Sequence, residues 1–187
     1  MKIDEVRKIA KEKYDKSDYH YHILPVVKNA LLLADKLKAD KEVIEIAAWL
    51  HDIGRAISRN DFEKENEHHI VGEKESIKIL NKLGYEKDFI RKVSHCVLTH
   101  RGRKEPDPET IEAKIVSSAD AMAHFDTFLD LFRFFLTTEE SFEKAVIGVE
   151  AKINRNWNKK MIPEAKEMVK DKYDAIILLI KNMKQYF

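Results

Sequence analysis

The sequence predicts an all-α protein built as a helical bundle, and three observations favour this fold class. Glycine and proline are scarce, with five and four among 187 residues, so few positions interrupt regular structure. Apolar residues recur at spacings of three and four along most of the chain, which is the period of an amphipathic helix. Alternating apolar and polar positions, the pattern of a half-buried strand, are absent. The length suits one domain, residues 1–187, with enough chain to bury a core.

Eight helices are predicted from these spacings and from the residues that begin and end helices. Their ranges are 2–15, 20–38, 41–53, 66–83, 87–99, 108–136, 139–157 and 162–184. Asp40 suits the N-cap of the third helix, and Gly54 suits its C-terminal end. Asp107 followed by Pro108 suits the start of the sixth.

Two polar segments, 55–67 and 101–109, are expected to lie within one domain, because each is short and lies between helices that need partners. The second is expected to be a loop, and the first a loop or a poorly formed helix. We expect residues 18–130 to form the central part of this domain, and the C-terminal helices, 131–187, to pack on it. In this C-terminal part we recognise no pattern of catalytic or ligand-binding residues. Its aromatic residues are expected to belong to the hydrophobic core or to a lid over the site.

The charge balance and the apolar segments exclude several classes of function. With 34 basic and 33 acidic residues the formal charge is +1, which disfavours a nucleic acid or an anionic membrane as the principal partner. The charged N-terminus does not resemble a signal peptide, and the apolar run 175–180 is too short to cross a bilayer. The single cysteine, Cys96, excludes an internal disulfide and fits a cytoplasmic setting. A homodimer stays open.

The stretch AAWLHDIGR, residues 47–55, places His51 and Asp52 at the end of a helix that is apolar nearly all round. Such a helix should be central, and a buried carboxylate is costly unless something compensates its charge. His22 lies on the apolar stripe of its own helix, and Asp120 lies beside small residues on another. These four side chains form a mixed nitrogen and oxygen set that suits one or two ions of Mn²⁺, Fe²⁺, Ni²⁺, Co²⁺ or Zn²⁺. From spacing alone, hydrogen-bonded core residues explain the four about as well.

A second set of histidines also lies on inward faces. His68 begins a stripe that contains Gly72, whose missing side chain leaves room on that face. His100 continues the apolar stripe of its helix, whereas His95 lies about 140° away from it on an ideal helix. Either the helix ends before His100, or only one of these two histidines faces the site.

With these residues placed, the chain resembles the HD-domain superfamily of metal-dependent phosphohydrolases over about residues 18–130. The family pattern is an early histidine, a His-Asp pair, intermediate histidines and a late aspartate. In this sequence the pattern would read His22 in YHILPVVKNALLLA, His51-Asp52 in LHDIGR, His68 in HHIVGEKES, His95 and His100 in HCVLTHRGR, and Asp120 in SSADAMAHF. The sequence departs from many relatives at Pro25, where those carry an arginine.

The resemblance implies an all-α bundle that holds a divalent transition metal at its centre. The first ligands would be His22, His51, Asp52 and Asp120. His68 and His100, with His95 as a further candidate, would bind a second ion or contact the substrate phosphate.

The predicted reaction is hydrolysis of a small phosphoester, with a nucleotide as the expected substrate, by a water that the metal activates. Asp52 would orient this water. His68, His95 and His100 would stabilise the developing charge or protonate the leaving oxygen.

Two arginines, Arg55 and Arg101, are expected to hold the phosphate, although solvated loop charges explain them equally well. Three alternatives to the hydrolase stay open. They are a di-iron oxygenase on the same ligands, a non-catalytic metal-bound sensing module, and a structural bundle without a metal.

Overall fold

The computed structural model describes residues 1–58, 67–101 and 106–187, and every regular element in these ranges is helical. The predicted all-α class is therefore confirmed. The helices are α1 Lys2–Lys13, α2 Lys16–Asp18, α3 Leu24–Leu37, α4 Lys41–Leu50, α5 Ile53–Ser58, α6 His68–Lys82, α7 Lys87–Thr99, α8 Ile111–Asp126, α9 Phe128–Thr138, α10 Phe142–Arg155 and α11 Pro163–Met183. Two π-helical turns, Tyr19–Ile23 and Asn156–Lys160, precede α3 and follow α10, and a 3₁₀ turn, Lys184–Tyr186, follows α11.

The two predicted loops lie partly outside the described residues. The first, 55–67, extends over residues 59–66, and the second, 101–109, extends over residues 102–105, and neither of these segments is described. None of the described helices is both long enough and apolar enough to span a membrane.

The hydrophobic core is centred on α4, as its nearly continuous apolar sequence predicts. Seven of the ten α4 residues are buried, which leaves this helix without a solvent-facing side over most of its length. Ile46 and Leu50 of α4 share one apolar cluster with Val97 of α7, Val116 of α8 and Val169 of α11. The C-terminal end of α4 therefore delivers the residues that follow it into the interior.

The predicted helix 41–53 is interrupted after Leu50. Asp40 is its N-cap as expected, because its carboxylate accepts a hydrogen bond from the Val43 N–H at 3.3 Å. His51 and Asp52 form a turn, and α5 begins at Ile53. Gly54 is thus inside α5, and its predicted place at a helix end is wrong.

The reason for a glycine at position 54 is the close packing of α5 on α6. A Cβ atom there would lie 2.0 Å from the backbone oxygen of His68 and 2.5 Å from the backbone nitrogen of Gly72. Any larger residue would push the two helices apart. This close approach brings the start of α6 next to the turn that carries Asp52.

The predicted helix 20–38 also differs from the structure at its start. Residues Tyr19–Ile23 form a π-helical turn, in which the Leu24 N–H bonds to the carbonyl of Tyr19 five residues back. Regular α-helix begins only at Leu24. Such wide turns are frequent at functional sites, and this one carries His22.

The predicted helix 108–136 is two helices with a later start. Thr110, rather than Asp107, is the N-cap of α8, and its hydroxyl accepts a hydrogen bond from the Ala113 N–H at 3.2 Å. The helix ends at Asp126 because Thr127 leaves helical geometry, and its hydroxyl bonds to the Ala123 carbonyl at 2.8 Å. The break turns α9 in a new direction.

The predicted helix 139–157 is shorter than expected. It begins at Phe142, where the Ser141 hydroxyl accepts a hydrogen bond from the Lys144 N–H at 3.2 Å. It changes to a π-helical turn at Asn156.

Candidate metal centre

The first part of the site is a convergence of His22 with the His51-Asp52 turn and with Asp120 on α8. The His22 Nε2 atom lies 3.2 Å from His51 Nε2, 3.4 Å from Asp52 Oδ2 and 3.3 Å from Asp120 Oδ1. Two imidazoles and two carboxylates from three separate segments therefore meet at one point. The structure thus brings together all four side chains that the sequence assigned to the metal.

The second part of the site uses the other oxygen of Asp52. Asp52 Oδ1 lies 3.2 Å from His68 Nε2 and 3.3 Å from His100 Nε2. The turn between α4 and α5 thus offers one carboxylate oxygen to each of two neighbouring groups. Asp52 could therefore serve as a ligand in either group.

Three groups in the described part of the chain have ligand atoms close enough together to hold a metal ion. They are His22, His51 and Asp52; Asp52, His68 and His100; and His22, Asp120 and His124, each with ligand atoms within 4.8 Å of one another. Their nitrogen and oxygen donors suit the divalent transition metals predicted from the sequence.

Two of the histidines are oriented for metal binding by backbone carbonyls. His51 Nδ1 lies 2.8 Å from the Ala48 carbonyl, and His100 Nδ1 lies 2.6 Å from the Val97 carbonyl. When each Nδ1–H donates to its carbonyl, each Nε2 lone pair is directed into the cluster. Within the described residues, Asp52 Oδ1 is buried and accepts no hydrogen bond of good geometry. The residues present therefore fit a bound cation.

The two aspartates carry negative charge in this buried place. Burial alone would raise the pKa of Asp52, but the charge of Arg55 and the nearby imidazoles outweigh it and hold the pKa well below its ordinary range. Burial would likewise raise the pKa of Asp120, but the charge of Lys160 and the hydrogen bond from His22 lower it well below that range. Two charged carboxylates in the interior are what a divalent ion compensates.

The two histidines of the first group differ in their proton affinity. Burial would lower the pKa of His22, but its bonds to Asp120 and Asp52 raise the pKa to about 9. Burial lowers the pKa of His51 to about 4, so this ring is neutral near pH 7. In the metal-free protein, a proton on His22 therefore compensates part of the negative charge of Asp52 and Asp120.

Asp120 has a second partner that the sequence did not reveal. The Lys160 ammonium forms a buried ion pair with Asp120 Oδ2. Ser118, two residues before Asp120 on α8, fixes the segment that carries this lysine. Its hydroxyl donates to the Lys160 carbonyl at 3.3 Å and accepts from the Ile162 N–H at 3.1 Å. The turn after α10 is thus fastened to α8 beside the candidate ligand.

The cluster opens into a cavity of about 530 Å³. Its basic lining residues are Arg55, Arg101, Lys152, Arg155 and Lys160, and its aromatic ones include Tyr21, Phe134 and Phe135. Three of these cations belong to the C-terminal part, in which the sequence showed no pattern of catalytic or ligand-binding residues. Lys152 could have been recognised, because it lies between Val149 and Ile153 on the buried side of α10. Lys160 gave no such signal, because the π-helical turn that places it has no sequence signature.

His124 also lines the cavity, although it is not among the site residues predicted from the sequence. Its ring stacks on His22 with a centroid distance of 5.2 Å and an angle of 16° between the planes. The signal that could have found it is its spacing, since His124 follows Asp120 by one helical turn.

His95 is the sequence-predicted residue that the structure does not bring to the cavity. Helix α7 continues to Thr99, so His95 and His100 point in different directions, and only His100 reaches Asp52. His95 Nε2 instead accepts a hydrogen bond from the Glu109 N–H at 3.4 Å. His95, one of the predicted catalytic residues, therefore does not face the site. Arg55 and Arg101 both line the cavity, and Arg55 Nε lies 3.8 Å from Asp52 Oδ2.

Comparison with known proteins identifies the family. The HD domain family model matches residues 19–124, which is more than half of the chain, and the chain belongs to this family. The expected resemblance is confirmed. Ribonuclease Y from Alkaliphilus metalliredigens is 39% identical over 102 residues, which are 54% of this chain and 19% of that protein. The chain thus spans about a fifth of the length of this relative.

Two solved structures share the fold over nearly the whole chain. Bacillus subtilis YpgQ in complex with ADP has a TM-score of 0.78 at 18% identity, covering 100% of this chain and 95% of that one. A predicted HD superfamily hydrolase from an uncultured Thermotogales bacterium has a TM-score of 0.68 at 21% identity, covering 98% of this chain and 91% of that one. At these identities the likeness is one of fold.

Proposed function

We propose that the protein is a metal-dependent phosphohydrolase that acts on a small phosphoester, a nucleotide in particular. The observation that carries this proposal is the position of Asp52. It offers one oxygen to His22 and His51 and the other to His68 and His100, at the base of a cavity lined by cations. A buried nitrogen and oxygen cluster beside a basic cavity suits a metal ion next to a bound phosphate.

The proposed ligands divide between the two groups. His22, His51, Asp52 and Asp120 would hold the first ion, and Asp52, His68 and His100 would hold a second. A divalent ion in such a site lowers the pKa of a bound water and polarises a phosphoryl oxygen.

The chain's own residues would supply orientation and charge. Asp52 would accept a hydrogen bond from the attacking water and so direct it toward phosphorus. When a single ion is bound, His68 would donate a hydrogen bond to a phosphoryl oxygen instead of binding metal, and His100 would do so only in its protonated form, because its Nδ1–H is directed at the Val97 carbonyl. Arg55 and Arg101, on the cavity wall, would bind the phosphate through their guanidinium groups.

The proposed nucleotide class is supported by the two kinds of lining in the cavity. Basic side chains suit a phosphate chain, while Tyr21, Phe134 and Phe135 offer aromatic surface of the kind that stacks on a base. The volume of about 530 Å³ falls in the range of small-molecule sites. The similar fold of YpgQ was solved with ADP bound.

The rival functions use the same ligand set and differ in what the bound metal does. A di-iron oxygenase would bind two iron ions and consume oxygen. A metal-bound sensing module would keep its ion and turn over no phosphoester. The basic lining favours the phosphohydrolase, because a cationic cavity attracts phosphate in preference to an uncharged substrate.

The experiment that tests the proposed function is a hydrolysis panel on the purified protein. The panel contains nucleoside mono-, di- and triphosphates, a cyclic dinucleotide and a short RNA, with and without a chelator and added metal. We expect metal-dependent release of phosphate or a nucleotide in the wild type and its loss in Asp52→Asn. Asp88→Asn is the matched control, since Asp88 is exposed and pairs with the exposed Arg91 on the surface of α7. Iron-dependent oxygen uptake, or no turnover of any compound, would overturn the proposal.

A further inference from the structure

Tyr14 connects the first helix to the turn that carries His51 and Asp52. Helix α1 ends just before Tyr14, whose backbone is extended. The tyrosine side chain is buried, and its hydroxyl donates a hydrogen bond to the Trp49 carbonyl at 3.1 Å. A side chain from the end of α1 therefore contacts the backbone two positions before the first residue of the turn.

This contact lies where α4 has carbonyl groups without partners of their own helix. The last four carbonyls of an α-helix receive no intrahelical hydrogen bond, and Trp49 is the second-last residue of α4. The preceding carbonyl, that of Ala48, lies 2.8 Å from His51 Nδ1. Side chains thus engage two successive carbonyls at this helix end, one from the turn itself and one from α1. Since buried carbonyls need a donor, both contacts stabilise the place where the helix stops.

Asp52 is held from its other side by α5. Its backbone carbonyl accepts hydrogen bonds from the N–H groups of Arg55 at 2.9 Å and Ala56 at 3.2 Å. The residue therefore lies between the end of α4 and the first turn of α5. Its side-chain oxygens lie 3.2 Å from His68 Nε2 and 3.4 Å from His22 Nε2, so a shift of the turn would change both approaches together.

Helix α1 is itself anchored on α4, which makes Tyr14 a fixed support. Arg7 donates to Glu45 Oε1 from Nε at 3.0 Å and from a terminal guanidinium nitrogen at 2.7 Å. The Trp49 indole N–H donates to the same oxygen at 3.2 Å. Polar contacts at two levels of α1 therefore fix its position along α4.

We propose that Tyr14 is a positioning residue of the metal centre, and that its hydrogen bond to the end of α4 sets the geometry at which His51 and Asp52 meet the ion. Tyr14 precedes residues 19–124, which match the family model, so this support comes from a helix outside the matched segment. The hydroxyl donates to a backbone carbonyl and takes no part in activating the water. The inference rests on the proposed metal-dependent function and adds a residue that supports its ligands.

The test is metal binding by Tyr14→Phe, which removes the hydroxyl and keeps the ring. Mn²⁺ titrations of chelator-treated protein measure the affinity, and the visible absorption of Co²⁺-loaded protein reports the coordination geometry. We expect Tyr14→Phe to bind Mn²⁺ about tenfold more weakly and to shift the Co²⁺ bands, because the ligands of the turn lose one of their supports.

Two controls separate positioning of the ligands from stability of the fold. Tyr85→Phe removes the hydroxyl of a tyrosine between α6 and α7, which has no hydrogen-bond partner within the described residues, so neither affinity nor spectrum should change. Ser141→Ala removes the N-cap of α10. It should lower the Tm of the metal-free protein by about 2–4 °C, as Tyr14→Phe should, without changing metal affinity or the Co²⁺ spectrum.

The inference and the proposed function fail in different ways. Wild-type affinity and spectrum in Tyr14→Phe, or an equal loss of affinity in Ser141→Ala, would overturn the role of Tyr14 and leave the metal centre of the wild type in place. A wild-type protein that binds no metal would overturn the proposed function, and the inference with it.

Discussion

Asp52 Oδ1 lies 3.2 Å from Nε2 of His68, and this approach ties the turn after α4 to the first residue of α6. The same carboxylate faces His22 and His51 through its other oxygen. The two halves of the proposed centre therefore share one residue, and they can be separated by removing a ligand that belongs to only one of them.

Replacing His68 by Asn should affect only the half of the centre that contains His100. We expect the variant to lose at most one ion per chain and to hydrolyse substrate about 10- to 100-fold more slowly. His69→Asn is the matched control, because His69 is the next residue on α6, is equally buried and belongs to none of the three candidate groups. Elemental analysis and initial rates measure both effects. Equal losses in the two variants would contradict a specific role of His68.

Replacing Gly54 by Ala should destabilise the protein strongly, since the added Cβ would lie 2.0 Å from the backbone oxygen of His68. Backbone cannot move aside cheaply, so we expect a loss of about 2–4 kcal/mol in the free energy of unfolding. Gly148→Ala is the control, because there the Cβ meets only the ring of Phe135, which can shift. Chemical denaturation of both variants checks the difference, and a Gly54→Ala protein as stable as the wild type would show that α5 and α6 do not pack this closely.

Metal affinity should rise with pH between about pH 7 and pH 9. In the metal-free protein the bonds to Asp120 and Asp52 overcome the effect of burial and raise the pKa of His22 to about 9, so a metal must displace a proton from this ring. Each unit of pH in this range should strengthen binding about tenfold, and the gain should stop above pH 9. Titrations with Mn²⁺ across this range measure the slope. His22→Asn, which has no proton to displace, should bind weakly with little pH dependence, and a wild-type affinity that is flat with pH would refute the linkage.

The stability of the metal-free protein should show the opposite dependence from the same group. The folded pKa of His22 is above its ordinary value of 6.5, so its protonation stabilises the fold fully below about pH 6.5. This contribution is lost as pH rises through about 9. Thermal unfolding in a chelator should therefore show a decline between these values that is smaller in His22→Asn. A decline of the same size in both proteins would mean that another group is responsible.

Replacing Lys152 by Met should stabilise the protein at neutral pH. Burial lowers the pKa of this lysine to about 7, so the folded state holds its proton less tightly than the unfolded chain does. The lysine therefore lowers stability at neutral pH, and this cost disappears as pH rises toward its unfolded pKa of about 10.4. We expect a gain of about 1 kcal/mol or more at pH 7, seen as a Tm higher by about 2–4 °C. Lys144→Met, which removes an exposed lysine of the same helix, should leave the Tm unchanged, and a lower Tm in Lys152→Met would contradict the explanation.

The sequence predicted those parts of the site that depend on helix periodicity. His51 and Asp52 follow an apolar helix, so their burial is visible in the pattern of α4. On a continuous helix only one of His95 and His100 can face the site. The structure shows that this residue is His100.

The parts that the sequence did not predict depend on breaks between helices. The π-helical turn Asn156–Lys160 brings Lys160 to Asp120, and a break at Thr127 turns α9 so that Phe134 and Phe135 reach the cavity. Such breaks are decided by tertiary packing and by a few hydrogen bonds, and not by local preference. The same limitation explains why Thr110, and not Asp107, begins α8.

The central claim is that a bound metal compensates the buried negative charge of Asp52. The most direct measurement is the metal content of the purified protein beside that of an Asp52→Asn variant. Elemental mass spectrometry of both proteins, with Asp88→Asn as control, gives the number of transition-metal ions per chain. The proposed centre predicts about one or two ions in the wild type and the control, and almost none in Asp52→Asn. Wild-type protein that stays metal-free after incubation with Mn²⁺, Fe²⁺, Ni²⁺ or Zn²⁺, or an Asp52→Asn variant that keeps its full complement, would contradict it.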